Sequence, residues 1–244
     1  MGNRFVASYA TPAGGATDEG RILPDSNQDD KGGLPDNPAS VETLDAYLER
    51  LASDAAVPGA GSAAALVGSL GAALIEMVAR ITLRNPKHAS SEDALRSIVA
   101  SSDELRTQLA AARQRDEAAY AEVVAAQALP QGTQAEKAAR RHTLDVALER
   151  AAEAPLEAAA LNLRALELAL ELVEFSGSAL SSDVGCAAEF AHAAVLSCAY
   201  NVRVNHRFMK DAGAIARQAQ QLGLTEAQAW RLLERVRAKL GGSA

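Results

Sequence analysis

The sequence predicts an all-α fold, a multi-helix bundle around a buried central helix rich in Ala and Gly. Three observations carry this reading. The chain of 244 residues is 48% hydrophobic but only 4% aromatic, and its apolar content is dominated by Ala and Leu, which favour helices over strands. Apolar residues recur at spacings of three and four rather than two. No strand pair and no internal repeat interrupts them. A chain of this length buries a core without disulfides or metal staples.

Residues 1–39 are rich in Gly, Pro, Asp, Asn and Ser and lack apolar periodicity, so they are read as a disordered extension to a helical domain over 40–244. Ser40 suits the cap of a first helix through Leu44, Tyr47, Leu48 and Leu51, ending by Ser53. The turn Pro58-Gly59-Ala60-Gly61-Ser62 launches a second helix to about Leu83, nearly uncharged for three turns and long enough to raise the question of a membrane span. Glu76 and Arg80, an i,i+4 pair, argue instead for the central helix of a soluble bundle. Gly61, Ala65, Gly68 and Ala72 form a smooth strip on it along which another helix can approach closely.

Pro86, within Arg84-Asn85-Pro86-Lys87-His88, breaks that helix. Ser90 with Asp93 and Thr133 with Glu136 read as capping boxes opening a third helix over about 91–128 and a fourth over about 134–174, with Pro155 as a kink or restart. After a polar loop over Ser176–Ser182, Asp183 stands at the start of a fifth helix to about Phe208. Thr225, supported by Gln228, is read as the cap of a last helix ending at Gly241-Gly242.

A formal net charge of -7 excludes general nucleic-acid binding, which needs a surplus of Lys and Arg, though it leaves room for an isolated basic pocket. Cys186 and Cys198 lie twelve positions apart on one helix, about 18 Å if it is straight, so they cannot pair and read as small buried hydrophobes. No secretory signal is visible at the N-terminus, so the cytoplasm is the expected location. The four histidines show no ligand spacing and no metal is expected. His192, one turn after Glu189, reads as its ion-pair partner, whereas His88 and His206 flank the candidate loops.

The glycine turn has two readings: tight helix packing, or a helix N-terminus whose free N–H groups hold an anion or carbonyl oxygen. Asp116, in Arg115-Asp116-Glu117-Ala118-Ala119-Tyr120, and Asp183 are each a surface charge, a cap or a reactive carboxylate. Asn201 and Asn205, one turn apart, suit a neighbouring helix or a heterocycle edge.

Taken in order, these pieces resemble the formimidoyltetrahydrofolate cyclodeaminases and methenyltetrahydrofolate cyclohydrolases. The resemblance rests on Pro58-Gly59-Ala60-Gly61-Ser62 with the helix to Thr82, on Asp116 with Ala119-Tyr120, and on Leu129-Pro130 with Thr133 and Glu136-Lys137. It continues in Ala154-Pro155-Leu156, in Ser182-Asp183-Val184-Gly185, and in Asn201-Val202, Asn205 and Asp211, covering about residues 40–240. It implies a homodimer of all-α subunits, no permanently bound cofactor, no membrane or nucleic-acid partner, and a tetrahydrofolate derivative as small-molecule substrate. The implied reaction is hydrolysis of 5,10-methenyltetrahydrofolate to 10-formyltetrahydrofolate. The alternatives are ring closure of 5-formimidoyltetrahydrofolate with loss of ammonia, the same chemistry on a non-folate amidine or cyclic imine, and a silent binding dimer.

Such reactions need an anion beside an N–C–N cation and a group that moves a proton, so Asp116 and Asp183 are the candidate catalytic carboxylates. Gly59, Ala60, Gly61, Ser62, Arg84, Lys87, His88, Ser182, Asn201 and Asn205 are the candidate substrate contacts. The family pattern is altered at three places. Ala60 replaces a glycine whose backbone freedom is expected to be lost, Arg84–His88 replaces a lysine run suited to a glutamate tail, and Ser176–Leu180 lacks two asparagines.

Overall fold

In the computed structural model residues 42–241 are described; Ser40, the expected extension over 1–39 and Gly242 lie outside them. The chain divides into two units, 1–56 and 57–244. The first contains helix α1, Leu44–Ala52, whose cap is Thr43, with its side chain accepting the Ala46 N–H.

The second unit is a bundle of five helices: α2, Ala60–Leu83; α3, Glu92–Gln127; α4, Gln134–Leu172; α5, Ser181–His206; and α6, Ala212–Gly241. No strand occurs among the described residues. Helix α2 packs on α3, α4 and α5, and α6 packs on α4 and α5. The core is built from Ile75, Val78, Leu95, Leu109, Leu166, Leu172, Val184, Val195 and Leu233, all fully buried or nearly so. Each contributes roughly 1.5–3 kcal/mol by leaving water. Helix α2 is long and apolar enough to cross a membrane by length and composition, but half of that window is buried inside the bundle. Its Glu76, nearly buried, pairs with Arg80 at 2.6 Å and also with Arg106 of α3 at 3.3 Å.

Close approach depends on the small residues. A side chain at Gly68 would overlap the amide of Asn162, a fully buried residue of α4. The Asn162 amide donates to the Ala158 carbonyl at 2.9 Å, while its oxygen has no conventional partner and lies against the Gly68 backbone, as in Cα–H···O contacts between helices. Helices α2 and α5 run antiparallel: Ala64 and Ala65 cluster with Cys198, and Gly71 abuts Ala187 and Ala191.

Several boundaries differ from expectation. The Thr133–Glu136 capping box is present, but α3 is preceded by a 3-10 turn over Pro86–Ser91, and its cap is Ser91 without a side-chain bond. Helix α4 neither ends nor restarts at Pro155. The carbonyl that the proline cannot pair, that of Ala151, accepts from the Asn205 amide of α5 at 2.6 Å, which keeps the helix continuous. Helix α6 begins at Ala212 rather than Thr225. Its true cap is Asp211, whose carboxylate accepts from Gly213 and Ala214, while Thr225 lies mid-helix and donates to the Gln221 carbonyl. Cys198 is buried as expected, but Cys186 is exposed. Glu189 pairs with Arg237 instead of His192, whose ring lies against Trp230 with centroids 5.8 Å apart.

Candidate active site

The first turn of α2 is the floor of the site. Gly59 caps the helix with φ -121°, and Ala60 is the first helical residue, a position any residue adopts, so the alanine at this place sacrifices no glycine conformation. The glycine that matters is Gly61. A Cβ there would overlap the carboxylate of Asp116, which reaches across from α3 and accepts the Ser62 N–H. The helix N-terminus therefore already holds an anion, its own Asp116, and one of the donors expected to serve the substrate is taken.

Next to it the Ser62 hydroxyl donates to Glu117 at 2.9 Å, so two adjacent carboxylates of α3 grip the head of α2. Burial pushes the Asp116 carboxyl up to about 6; the Ser62 N–H opposes the rise and the Glu117 charge adds to it. A carboxyl that titrates close to neutrality can both take and give a proton under ordinary conditions. Behind it lies Cys198, whose thiol is pushed up to about 12 by burial and by the Asp116 charge, so it remains protonated and inert.

Of the expected contacts, Gly59, Ala60, Gly61, Ser62 and Asp116 share this end of the bundle. Asn201 follows Cys198 by one turn of α5 and is half-buried; its amide nitrogen donates to the Ser197 carbonyl at 2.9 Å and its oxygen has no protein partner among the described residues. The Asn205 amide nitrogen is engaged by the Ala151 carbonyl at 2.6 Å. His206 is likewise engaged, 2.8 Å from the Gln218 amide oxygen.

The other candidates lie elsewhere. Arg84, Lys87 and His88 follow the C-terminus of α2, about 35 Å along its axis from Gly61. Ser182 and Asp183 form the first turn of α5, with Asp183 some 22 Å along that helix from Cys198. Because α2 and α5 are antiparallel, these two groups share the opposite end of the bundle. Within one chain Asp116 and Asp183 are not brought together. Glu117 and Asn162 escaped the sequence reading: the first resembles a solvated helix glutamate, whereas an asparagine among Ala and Leu in mid-helix was a usable signal. Among the described residues no group of three or more His, Cys, Asp or Glu is placed to hold a metal.

The family model described as Formiminotransferase-cyclodeaminase matches residues 43–223. The chain is 34% identical over 198 residues to the methenyltetrahydrofolate cyclohydrolase of Methylorubrum extorquens, covering 81% of this chain and 95% of that protein. It is 27% identical over 190 residues to the formimidoyltransferase-cyclodeaminase of Rattus norvegicus, of whose length it spans 34%. Among solved structures, the formiminotetrahydrofolate cyclodeaminase of Thermotoga maritima is similar with a TM-score of 0.74 at 26% identity, over 82% of this chain and 96% of that one.

Proposed function

Because the chain belongs to the formiminotransferase-cyclodeaminase family, we propose that it is a one-carbon enzyme that hydrolyses 5,10-methenyltetrahydrofolate to 10-formyltetrahydrofolate. One structural observation carries the mechanism: the Asp116 carboxyl lies half-buried against Gly61 at the head of α2, where burial pushes it up to about 6. As the carboxylate it faces the delocalised N–C–N cation and accepts a proton from the water that adds to the bridging carbon. The bond from that carbon to N5 then breaks with its electron pair going to nitrogen, and Asp116 returns the proton there. The carbinol oxygen loses its remaining proton to solvent as the formyl group forms, so the cation and one water give a neutral product and one proton. The Asn201 oxygen is the proposed acceptor for an N–H of the ring.

The cyclodeaminase reaction is the second reading, favoured by the likeness to the Thermotoga maritima structure. Hydrolysis comes first because the chain is 34% identical to the cyclohydrolase relative but 27% identical to the rat formimidoyltransferase-cyclodeaminase.

A homodimer is part of the same proposal. Helix α2 exposes Leu70, Met77 and Ile81, and α5 exposes Phe190, Tyr200 and Val204, an apolar band that a second copy would cover. A twofold axis across the middle of that band would set Asp183 of the partner subunit beside the Asp116 end. The proposed location is the cytoplasm.

The test is the decay of 5,10-methenyltetrahydrofolate absorbance against a buffer blank. The proposal expects acceleration by the wild type, a kcat/KM that falls below about pH 6, and loss of turnover by a folded Asp116→Asn variant. Ammonia release from 5-formimidoyltetrahydrofolate without methenyl hydrolysis would move the assignment to the second reading.

A further inference from the structure

Asp116 and Glu117 are neighbours on α3, so their side chains leave the helix about 100° apart, yet both end on one residue of α2. Asp116 accepts the Ser62 N–H, and Glu117 accepts the Ser62 hydroxyl at 2.9 Å. Ser62 is fully buried, and both acids are half-buried. A neutral acceptor at 117 would hold the hydroxyl as well, without setting a second negative charge beside a carboxyl whose ionised form burial already disfavours. The fold does not need that charge, and a local cost of this kind marks a functional position.

The helices packed around the pair bring little charge to balance it. Helix α2 presents its N-terminal dipole, and its first ionisable side chain, Glu76, lies fourteen residues past Ser62, about 21 Å along the axis. Helix α5 presents Cys198, whose thiol stays protonated, and the uncharged Asn201. Helix α4 presents Ala158 and Ala159; its Glu157 pairs with Arg115 of α3 at 3.6 Å, and Glu153 stands one turn earlier. On α3 itself Arg113 stands one turn before Glu117, and Tyr120 one turn after Asp116. The charge that strengthens the hold of Asp116 on its proton is that of Glu117, one residue away.

We propose that Glu117 is a positioning residue for the reaction at Asp116: acting through the Ser62 hydroxyl, it fixes the first turn of α2 beneath the acid and sets a second negative charge beside it. The inference rests on the folate reading above. Asp116 alone moves the proton, while Glu117 forms and breaks no bond to substrate. Its bond to Ser62 holds the N–H that orients Asp116, and its charge keeps that carboxyl basic enough to take a proton from water.

Two variants of the full chain separate the two contributions. Glu117→Gln keeps an acceptor for the Ser62 hydroxyl but not the charge, whereas Ser62→Ala keeps the charge but not the bond. In kcat/KM profiles with 5,10-methenyltetrahydrofolate, Glu117→Gln is expected to move the acid limb from about pH 6 down by about half a unit, the effect of one charge roughly 6 Å away in a largely aqueous dielectric. Ser62→Ala is expected to lower kcat about tenfold while the limb stays near pH 6. A clamp that only stabilised the fold would not move the limb. Without any substrate, carbon NMR of the aspartate-labelled chain follows the Asp116 carboxyl directly, and the same downward displacement is expected there in Glu117→Gln. An Asp116 titration that Glu117→Gln leaves unmoved, or full turnover by a folded Ser62→Ala, overturns the inference. Its failure is separable from failure of the reaction: methenyl turnover with an unmoved titration removes the role of Glu117 alone, whereas a displaced titration in a chain that turns over neither methenyl nor formimidoyl folate removes the proposed chemistry.

Discussion

Gly61 and Asp116 occupy one another's space: the carboxylate lies where a side chain on residue 61 would stand, and it is fixed there by the N–H of Ser62. Gly61→Ala should therefore leave the helix intact, since alanine is the better helix former, while displacing the carboxyl. We expect kcat/KM to fall about 10–100-fold with an unchanged far-UV spectrum. Full turnover in that variant would show that the fit does not position the acid.

Asp116 should also weaken the fold near neutrality. Its carboxyl rises from an ordinary 3.8 to about 6 in the folded chain, so the native state holds the proton more tightly than the unfolded one. Stability present below about pH 4 is thus lost as pH rises through 6. An amide at 116 keeps an acceptor for Ser62 without a charge to desolvate. In urea titrations Asp116→Asn should exceed the wild type by about 1–3 kcal/mol at pH 7.5 and match it at pH 4. A variant weaker at pH 7.5 contradicts the proposed burial of charge.

Asn205 and Pro155 form a second coupled pair through the Ala151 carbonyl. Asn205→Ala orphans that acceptor and should cost about 1–2 kcal/mol. Pro155→Ala supplies an N–H within α4, so the Asn205 substitution should cost less in that background. Equal penalties in the two backgrounds would mean that the amide does not serve the proline's missing bond.

The helices were legible wherever a chemical signal and its cause coincided. Thr133 with Glu136 opened α4 as read, and Pro86 ended α2. The failures have a common origin in partners distant along the chain. Pro155 read as a kink or restart because the amide that satisfies the Ala151 carbonyl comes from α5, and Thr225 read as a cap although the helix runs through it and Gly223 from Ala212. That glycine costs about 1 kcal/mol in the helix, which the burial of Leu222, Ala229 and Leu233 outweighs. The candidate site followed the same rule. Asp116 stood out as an acid among alanines, but the separation of Asp116 from Asp183 depends on the antiparallel pairing of α2 with α5, which local spacing does not contain.

That separation has a consequence for mixtures. If the partner subunit supplies Asp183, a subunit carrying Asp116→Asn and one carrying Asp183→Asn are each dead with their own kind, yet together they reconstitute one intact centre per hybrid. Random reassortment makes half of the pairs hybrids, each with one working centre of two, so the blend should recover about a quarter of wild-type turnover. Two silent preparations would then complement each other in a single tube, and a blend that stays silent would confine each centre to its own chain.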